Sequence, residues 1–304
     1  MGTLAHSIWE NIWREFKLNL NKSKDLFINI ANQELNNFLV KPEDESQDKY
    51  KDFRRFVNDY RLKNRGLENF KFRFNRLINF QAEIIARLYE NNFRHIDIML
   101  EDDARLGIRD KNFYGQCDRI EILASNNTGE KFAVITDYKH GKSASYDGKT
   151  KINLNNILTP ESFDNLKLED AQYEFQSGLQ LSAYALMFNN KFKDKDIKLA
   201  GVNFLGLEDG NSAGTFDKEI RDLYIAPNPK AQSTPPSMTQ RETEANFAIS
   251  IAGEIIKTGI FKPDYDSEKC KHCGLKGICR RSEFVGESLR ELENNSGDDN
   301  SSSE

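Results

Sequence analysis

Apolar positions at the start of the chain recur with the period of a helix: Ile8, Trp9, Ile12, Trp13, Phe16 and Leu20 share one strongly aromatic face. Helical spacing continues to about Glu90. From about Ile96 the pattern shortens. FYGQCDRIEIL and KFAVITDYK are runs rich in β-branched and aromatic residues, joined by the turn-forming SNNTGE, and they predict a β-hairpin or meander. A polar loop from about Gly141 to Leu168 leads into a helix on which Phe175, Leu179, Leu181, Tyr184, Ala185 and Phe188 align. IKLAGVNFLGL and DLYIAPN are expected as two further strands, followed by a loop containing STPPS and a helix through TQRETEANFAISIAGEIIKTGIF. The pattern predicts an α/β domain: a central mixed sheet flanked by helices, preceded by an N-terminal helical region.

Composition narrows the classes. The 304 residues suit one large domain or two small ones, and 38% hydrophobic with 30% charged residues describes a globular chain with a polar surface. No apolar run approaches the roughly 18 residues of a membrane span, and MGTLAHSIWENIWREF lacks the basic start and apolar stretch of a secretory leader. A cytoplasmic protein with no membrane partner is expected. The net charge is −5, but Glu283 to Glu304 carry −6 of it, so the body is about +1. That last stretch, ending ENNSGDDNSSSE, has nothing to bury and is expected to be a disordered tail. Lys51 to Arg76 hold nine bases against three acids with Phe, Tyr and Leu interleaved. Solvated helices with their aromatics in the core are the plain reading, and a phosphate-tracking surface is the other; opposite faces can do both.

Chemistry concentrates in the hairpin. Asp118 is expected on its first strand and Asp137 and Lys139 on its second, where a period of two sets the latter pair on one face. Converging carboxylates make a hard oxygen site for Mg²⁺ or Mn²⁺, and a neighbouring lysine adds the positive charge that phosphodiester hydrolysis uses. Alone, D-x-K is weak, because alternating charges are ordinary on solvent-facing strands. Gln180 and Tyr184 stand one helical turn apart and share a face.

Order and spacing across the chain strengthen the signal. Gly2-Thr3-Leu4-Ala5-His6 precedes the amphipathic helix, Gly115-Gln116-Cys117-Asp118-Arg119-Ile120-Glu121 and Asp137-Tyr138-Lys139-His140-Gly141 follow, then Gln180-Leu181-Ser182-Ala183-Tyr184, Phe261-Lys262-Pro263 and the trio Cys270, Cys273, Cys279. In these elements the sequence resembles PD-(D/E)XK nucleases of the RecB-like branch, close to the nuclease domain of AddB-type helicase-nucleases. The resemblance implies a restriction-endonuclease-like core, with catalytic residues Asp118, Asp137, Lys139, Gln180 and Tyr184. It also implies metal ligands His6, Asp118, Asp137 and the Tyr138 carbonyl. The implied activity is hydrolysis of DNA phosphodiester bonds, as an exonuclease on single-stranded ends fed by a helicase domain or subunit in repair or recombination. No G-x-x-x-x-G-K-[ST] motor loop is present in the sequence. The competing class is a catalytically silent DNA-binding or assembly module with the same fold.

In the resembling branch the cysteine trio holds a [4Fe–4S] cluster together with one cysteine upstream of the histidine motif. Here none of the five residues before His6 is cysteine, and Cys117 abuts Asp118, where alternation would turn it from the metal site. The expectation is therefore a fragment of a longer helicase-nuclease that supplies the fourth ligand; His272 completing a zinc site, or thiols without metal, are the alternatives. The expected organisation is a nuclease domain over 1–282, containing a helical region at 21–95 and a cysteine-bearing segment at 261–282, then an acidic tail at 283–304.

Overall fold

The computed structural model describes residues 2–19, 22–39, 64–108, 113–143, 179–225 and 237–258. The chain divides into two compact units, 1–249 and 250–304; of the second, the described residues are only the end of one helix. The first unit opens with three helices, α1 (Gly2–Leu18), α2 (Lys24–Leu39) and α3 (Asn64–Glu90). Strands β1 (Phe93–Leu100), β2 (Arg105–Ile108), β3 (Phe113–Gln116), β4 (Arg119–Ser125) and β5 (Lys131–Lys139) follow. Then come α4 (Gln180–Phe192), β6 (Lys198–Gly206), β7 (Asn211–Phe216), α5 (Lys218–Tyr224) and α6 (Met238–Thr258).

Five strands form the main sheet in the order β1-β4-β5-β6-β7, with β5 and β6 parallel and every other pair antiparallel. β2 and β3 make a separate two-stranded sheet. The mixed α/β sheet with an N-terminal helical region is the architecture the hydropathy pattern predicts. Three aromatic-rich helices cover one face: Trp9, Trp13 and Phe16 of α1 pack with Phe27 of α2, Phe74 of α3 and Tyr138 of β5. On the other face α4 lays Leu181, Tyr184, Ala185 and Phe188 over Ile120, Ile122, Ile135 and Phe204. Alternation along β5 thus sends Ala133 and Ile135 toward α4 and Tyr138 toward α1.

Two expectations change. The start of DLYIAPN is not a strand: Asp222 to Tyr224 end α5, whose buried Ile220, Leu223 and Tyr224 follow helical spacing, and residues 226–228 lie outside the described residues. The strand lies earlier, at Asn211–Phe216, a segment of weak strand formers that is held in place by its ladder with β6. The first hairpin strand is also interrupted. β3 and β4 belong to different sheets, and Cys117 and Asp118 form the bend between them.

A charged cluster lies buried between β4 and the helical layer. Glu121 Oε1 is 2.8 Å from His95 Nε2, and its Oε2 pairs with the Arg119 guanidinium at 3.0 Å. Arg119 also donates to Gln81 and Thr136, and its guanidinium carbon sits 3.9 Å from the centre of the Trp13 ring. Burial alone would raise the Glu121 carboxyl, but the Arg119 charge and His95 outweigh it and hold the group below its ordinary value. A depressed value stabilises the fold above the unfolded-state pKa, near 4.5, and that contribution fades as pH falls through the folded-state value. Glu121→Gln is accordingly expected to lose about 3 kcal/mol near neutral pH by leaving Arg119 buried without its anion. The gap from the parent should narrow in acid. Urea denaturation near neutrality and below the ordinary carboxylate value measures this, and a gap that stays constant or widens would contradict it.

Candidate active site

The site assembles where β5 ends beside α4 and the start of α1. Asp137 and Lys139 share the α4-facing side of β5, as period two predicts, and their side chains form an ion pair. Asp137 is 4% exposed. Its Oδ1 accepts from Gln180 Nε2 at 2.8 Å and lies 3.2 Å from the Tyr184 hydroxyl. Its Oδ2 is the oxygen that pairs with the Lys139 ammonium.

Gln180 occupies the first position of α4 and uses both ends of its amide. Its Oε1 accepts from Lys139 Nζ at 2.8 Å, while Nε2 also donates to the Tyr184 hydroxyl at 2.8 Å, one turn along the same face. The Tyr184 hydroxyl lies 2.8 Å from the Gln116 carbonyl as well, so the phenol turns inward and ties α4 to β3. Gly115 lies under the same helix, where a Cβ would stand 2.6 Å from the terminal methyl of Met187, a side chain free to shift.

Asp118 reaches the site from the bend and not from a strand. Its Oδ2 accepts the Tyr138 backbone N–H at 2.6 Å, and its Oδ1 lies 3.4 Å from His6 Nδ1. His6, on the first turn and a half of α1, places Nε2 3.1 Å from the Tyr138 carbonyl. The expected ligands His6, Asp118, Asp137 and Tyr138 thus come together around one peptide of β5. The hydrogen bond to Asp118 raises the His6 imidazole above its ordinary value against the opposing pull of burial. Burial first, and then the Asp118 charge, raises the Asp137 carboxyl, while Lys139 draws it back down.

These donors suit a hard divalent cation in kind: two carboxylates, one carbonyl and one imidazole, with the buried Asp137 Oδ2 met by the Lys139 ammonium. In this structure they bond to one another, and among the described residues no three His, Cys, Asp or Glu side chains close into a metal cage. Cys117 departs from expectation. Because it lies in the bend, strand alternation does not govern it, and it is buried with Leu181 and Tyr184 on the Asp137 side. Burial, then the Asp137 and Asp118 charges, push its thiol up, which makes it an inert neutral group. Cys270, Cys273 and Cys279 and the Phe261-Lys262-Pro263 segment lie outside the described residues.

Sequence reasoning missed the brace beneath the site. The Asp209 carboxylate, in the turn between β6 and β7, accepts from the Ser143 N–H at 3.0 Å and from its hydroxyl at 2.8 Å, fixing the chain that leaves Lys139. Gly206 makes room for it, since a Cβ there would meet Asp209 Oδ1 at 2.2 Å. An Asp before Gly in a turn was the available signal.

Buried carboxylates at the end of a mixed sheet, with a lysine two residues after the second, define a class of hydrolytic nuclease. The chain belongs to the PD-(D/E)XK nuclease superfamily, whose sequence profile it matches over residues 1–280. Members of that superfamily generally use Mg²⁺ or Mn²⁺. No curated protein matches the chain. Among the described residues no helix is long and apolar enough to cross a membrane.

Tyr184→Phe tests the inward phenol. Removing a hydroxyl that serves the Gln116 carbonyl, Asp137 and Gln180 is expected to cost about 1–3 kcal/mol, read as a lower urea midpoint. An unchanged midpoint would mean that the hydroxyl holds nothing.

Proposed function

We propose that the chain is a metal-dependent deoxyribonuclease, acting as an exonuclease on single-stranded ends within an AddB-like helicase-nuclease of DNA repair or recombination. The observation that supports the nuclease reading is the Lys139 ammonium held between Asp137 and Gln180 beside Asp118 and His6. The narrower terms rest on the order of motifs along the sequence. In this reading His6, Asp118, Asp137 and the Tyr138 carbonyl hold the divalent ion, which when bound supplies Lewis-acid charge against the phosphate. Lys139 orients the attacking water and stabilises the negative charge that builds on the phosphoryl oxygens. Gln180 keeps Lys139 and Asp137 in register, and Tyr184 positions Gln180. His140 is exposed at the same strand end and adds polar surface toward the strand being cut.

The cysteine trio is proposed, by the order of motifs along the sequence, to serve a [4Fe–4S] cluster. The remaining thiol of the sequence, Cys117, is buried under α4.

End-labelled single- and double-stranded DNA incubated with Mg²⁺ or Mn²⁺ tests the activity. Lys139→Ala and Asp118→Ala are each expected to reduce cleavage by about 10³-fold, and Gln180→Ala by about 10²-fold through misplacement of Lys139. Digestion from one end of the single strand is the expected product pattern. DNA binding without cleavage by the parent in either metal would defeat the enzyme reading and leave a silent binding module. Full activity in Lys139→Ala would remove that residue from the chemistry.

A further inference from the structure

The basic, aromatic-rich stretch before Arg76 divides in the structure. Phe70 and Phe74 point into the helical core, while Phe72 between them is 63% exposed. A lone exposed phenylalanine is unremarkable on a protein surface. Its surroundings set this one apart. Asn69, Phe72, Asn75, Arg76 and Asn79 recur at helical spacing along the outer face of α3, all exposed, and the acids at either end of the stripe, Glu68 and Glu83, are ion-paired with Lys71 and Lys24. Arg76 donates to the backbone carbonyl of Asp209, a neutral partner, and forms no ion pair among the described residues, so it presents a whole positive charge. Lys71, beside Phe72, is by contrast matched by Glu68.

The stripe is linked to the active-site strand through the Asp209 turn. Asp209, which Arg76 caps, braces Ser143 four residues past Lys139. Leu77, next to Arg76, lines a small cavity together with His6, Lys139 and His140. Phe72 therefore stands one helical turn, about 6 Å along the axis, from a cation that contacts the turn bracing the active-site strand.

We propose that this face of α3 is a platform on which unpaired bases stack as a nucleic acid strand approaches the active site, with Phe72 as the stacking ring and Arg76 as the phosphate contact. The inference rests on the nuclease reading and deepens it by locating the surface that takes the unpaired strand. An exposed ring can stack only on a base face not already taken by a neighbouring base pair, so it selects single strand over duplex. The surrounding amides offer donors and acceptors to base edges, and the guanidinium contributes affinity without sequence preference.

Fluorescence anisotropy with labelled oligo-dT and a blunt duplex of equal length, in chelator so that no metal-dependent cleavage occurs, tests the platform with the full chain. Phe72→Ala is expected to weaken oligo-dT binding about tenfold and to leave duplex binding unchanged. Phe72→Trp should restore single-strand affinity, and Arg76→Ala should weaken both ligands. Leu18→Ala, which alters an equally exposed apolar side chain at the far end of α1, should change neither. Parental affinity for oligo-dT in Phe72→Ala, equal losses on single strand and duplex, or no binding of oligo-dT by the parent would each overturn the proposal. A parent that cuts DNA while its oligo-dT affinity ignores Phe72 keeps the nuclease and loses the platform. A parent that binds through Phe72 but cuts nothing does the reverse.

Discussion

Two carboxylates that repel each other are held together in a largely dry place, and the surrounding architecture answers that constraint. Burial and mutual charge both raise the Asp137 carboxyl above its ordinary value. The carboxylate oxygens meet counterparts drawn from several parts of the chain. Lys139 comes from the same strand, Gln180 and Tyr184 from the helix across the sheet, the Tyr138 N–H from the backbone between, and His6 from the opposite layer. The site is therefore a junction of layers, and neither layer could be removed without leaving charge unanswered.

The parallel pairing of β5 with β6 is what makes this junction possible. A parallel neighbour obliges the chain to cross over the sheet before returning, and the crossover delivers α4 with Gln180 at its first position, directly above Lys139. On return, β6 ends beside the same strand end, and the turn that follows carries Asp209 back to Ser143. One topological requirement thus places both the amide that orients the lysine and the brace that fixes the chain leaving it.

Much of this was readable in the sequence because it depends on short-range periodicity. Period two placed Asp137 and Lys139 on one face, the helical repeat paired Gln180 with Tyr184, and the aromatic stripe of α1 marked its buried side. What escaped depends on long-range packing. Asp118 and Cys117 form a bend because β3 and β4 leave for different sheets, which no local pattern records. The segment Asn211–Phe216 becomes a strand only because β6 offers it a ladder, and Asp222 to Tyr224 read as the start of a strand until the spacing of Ile220, Leu223 and Tyr224 is seen against the core they fill. Phe72 is indistinguishable from Phe70 and Phe74 by residue type; only the rotation of α3 against the helical layer separates them.

Trp9 and Trp13 are the only tryptophans in the chain, and both belong to the helix that carries His6. Trp9 stacks with Phe74 and Trp13 lies against the Arg119 cation, so each indole is surrounded by groups from other elements. The intrinsic emission of the protein consequently originates at a single seam, between α1 and the sheet. Its wavelength and quenching follow the seating of that helix and, with it, the presence of the imidazole at the site, independently of the rest of the fold. The molecule carries an optical gauge of whether its first helix is docked.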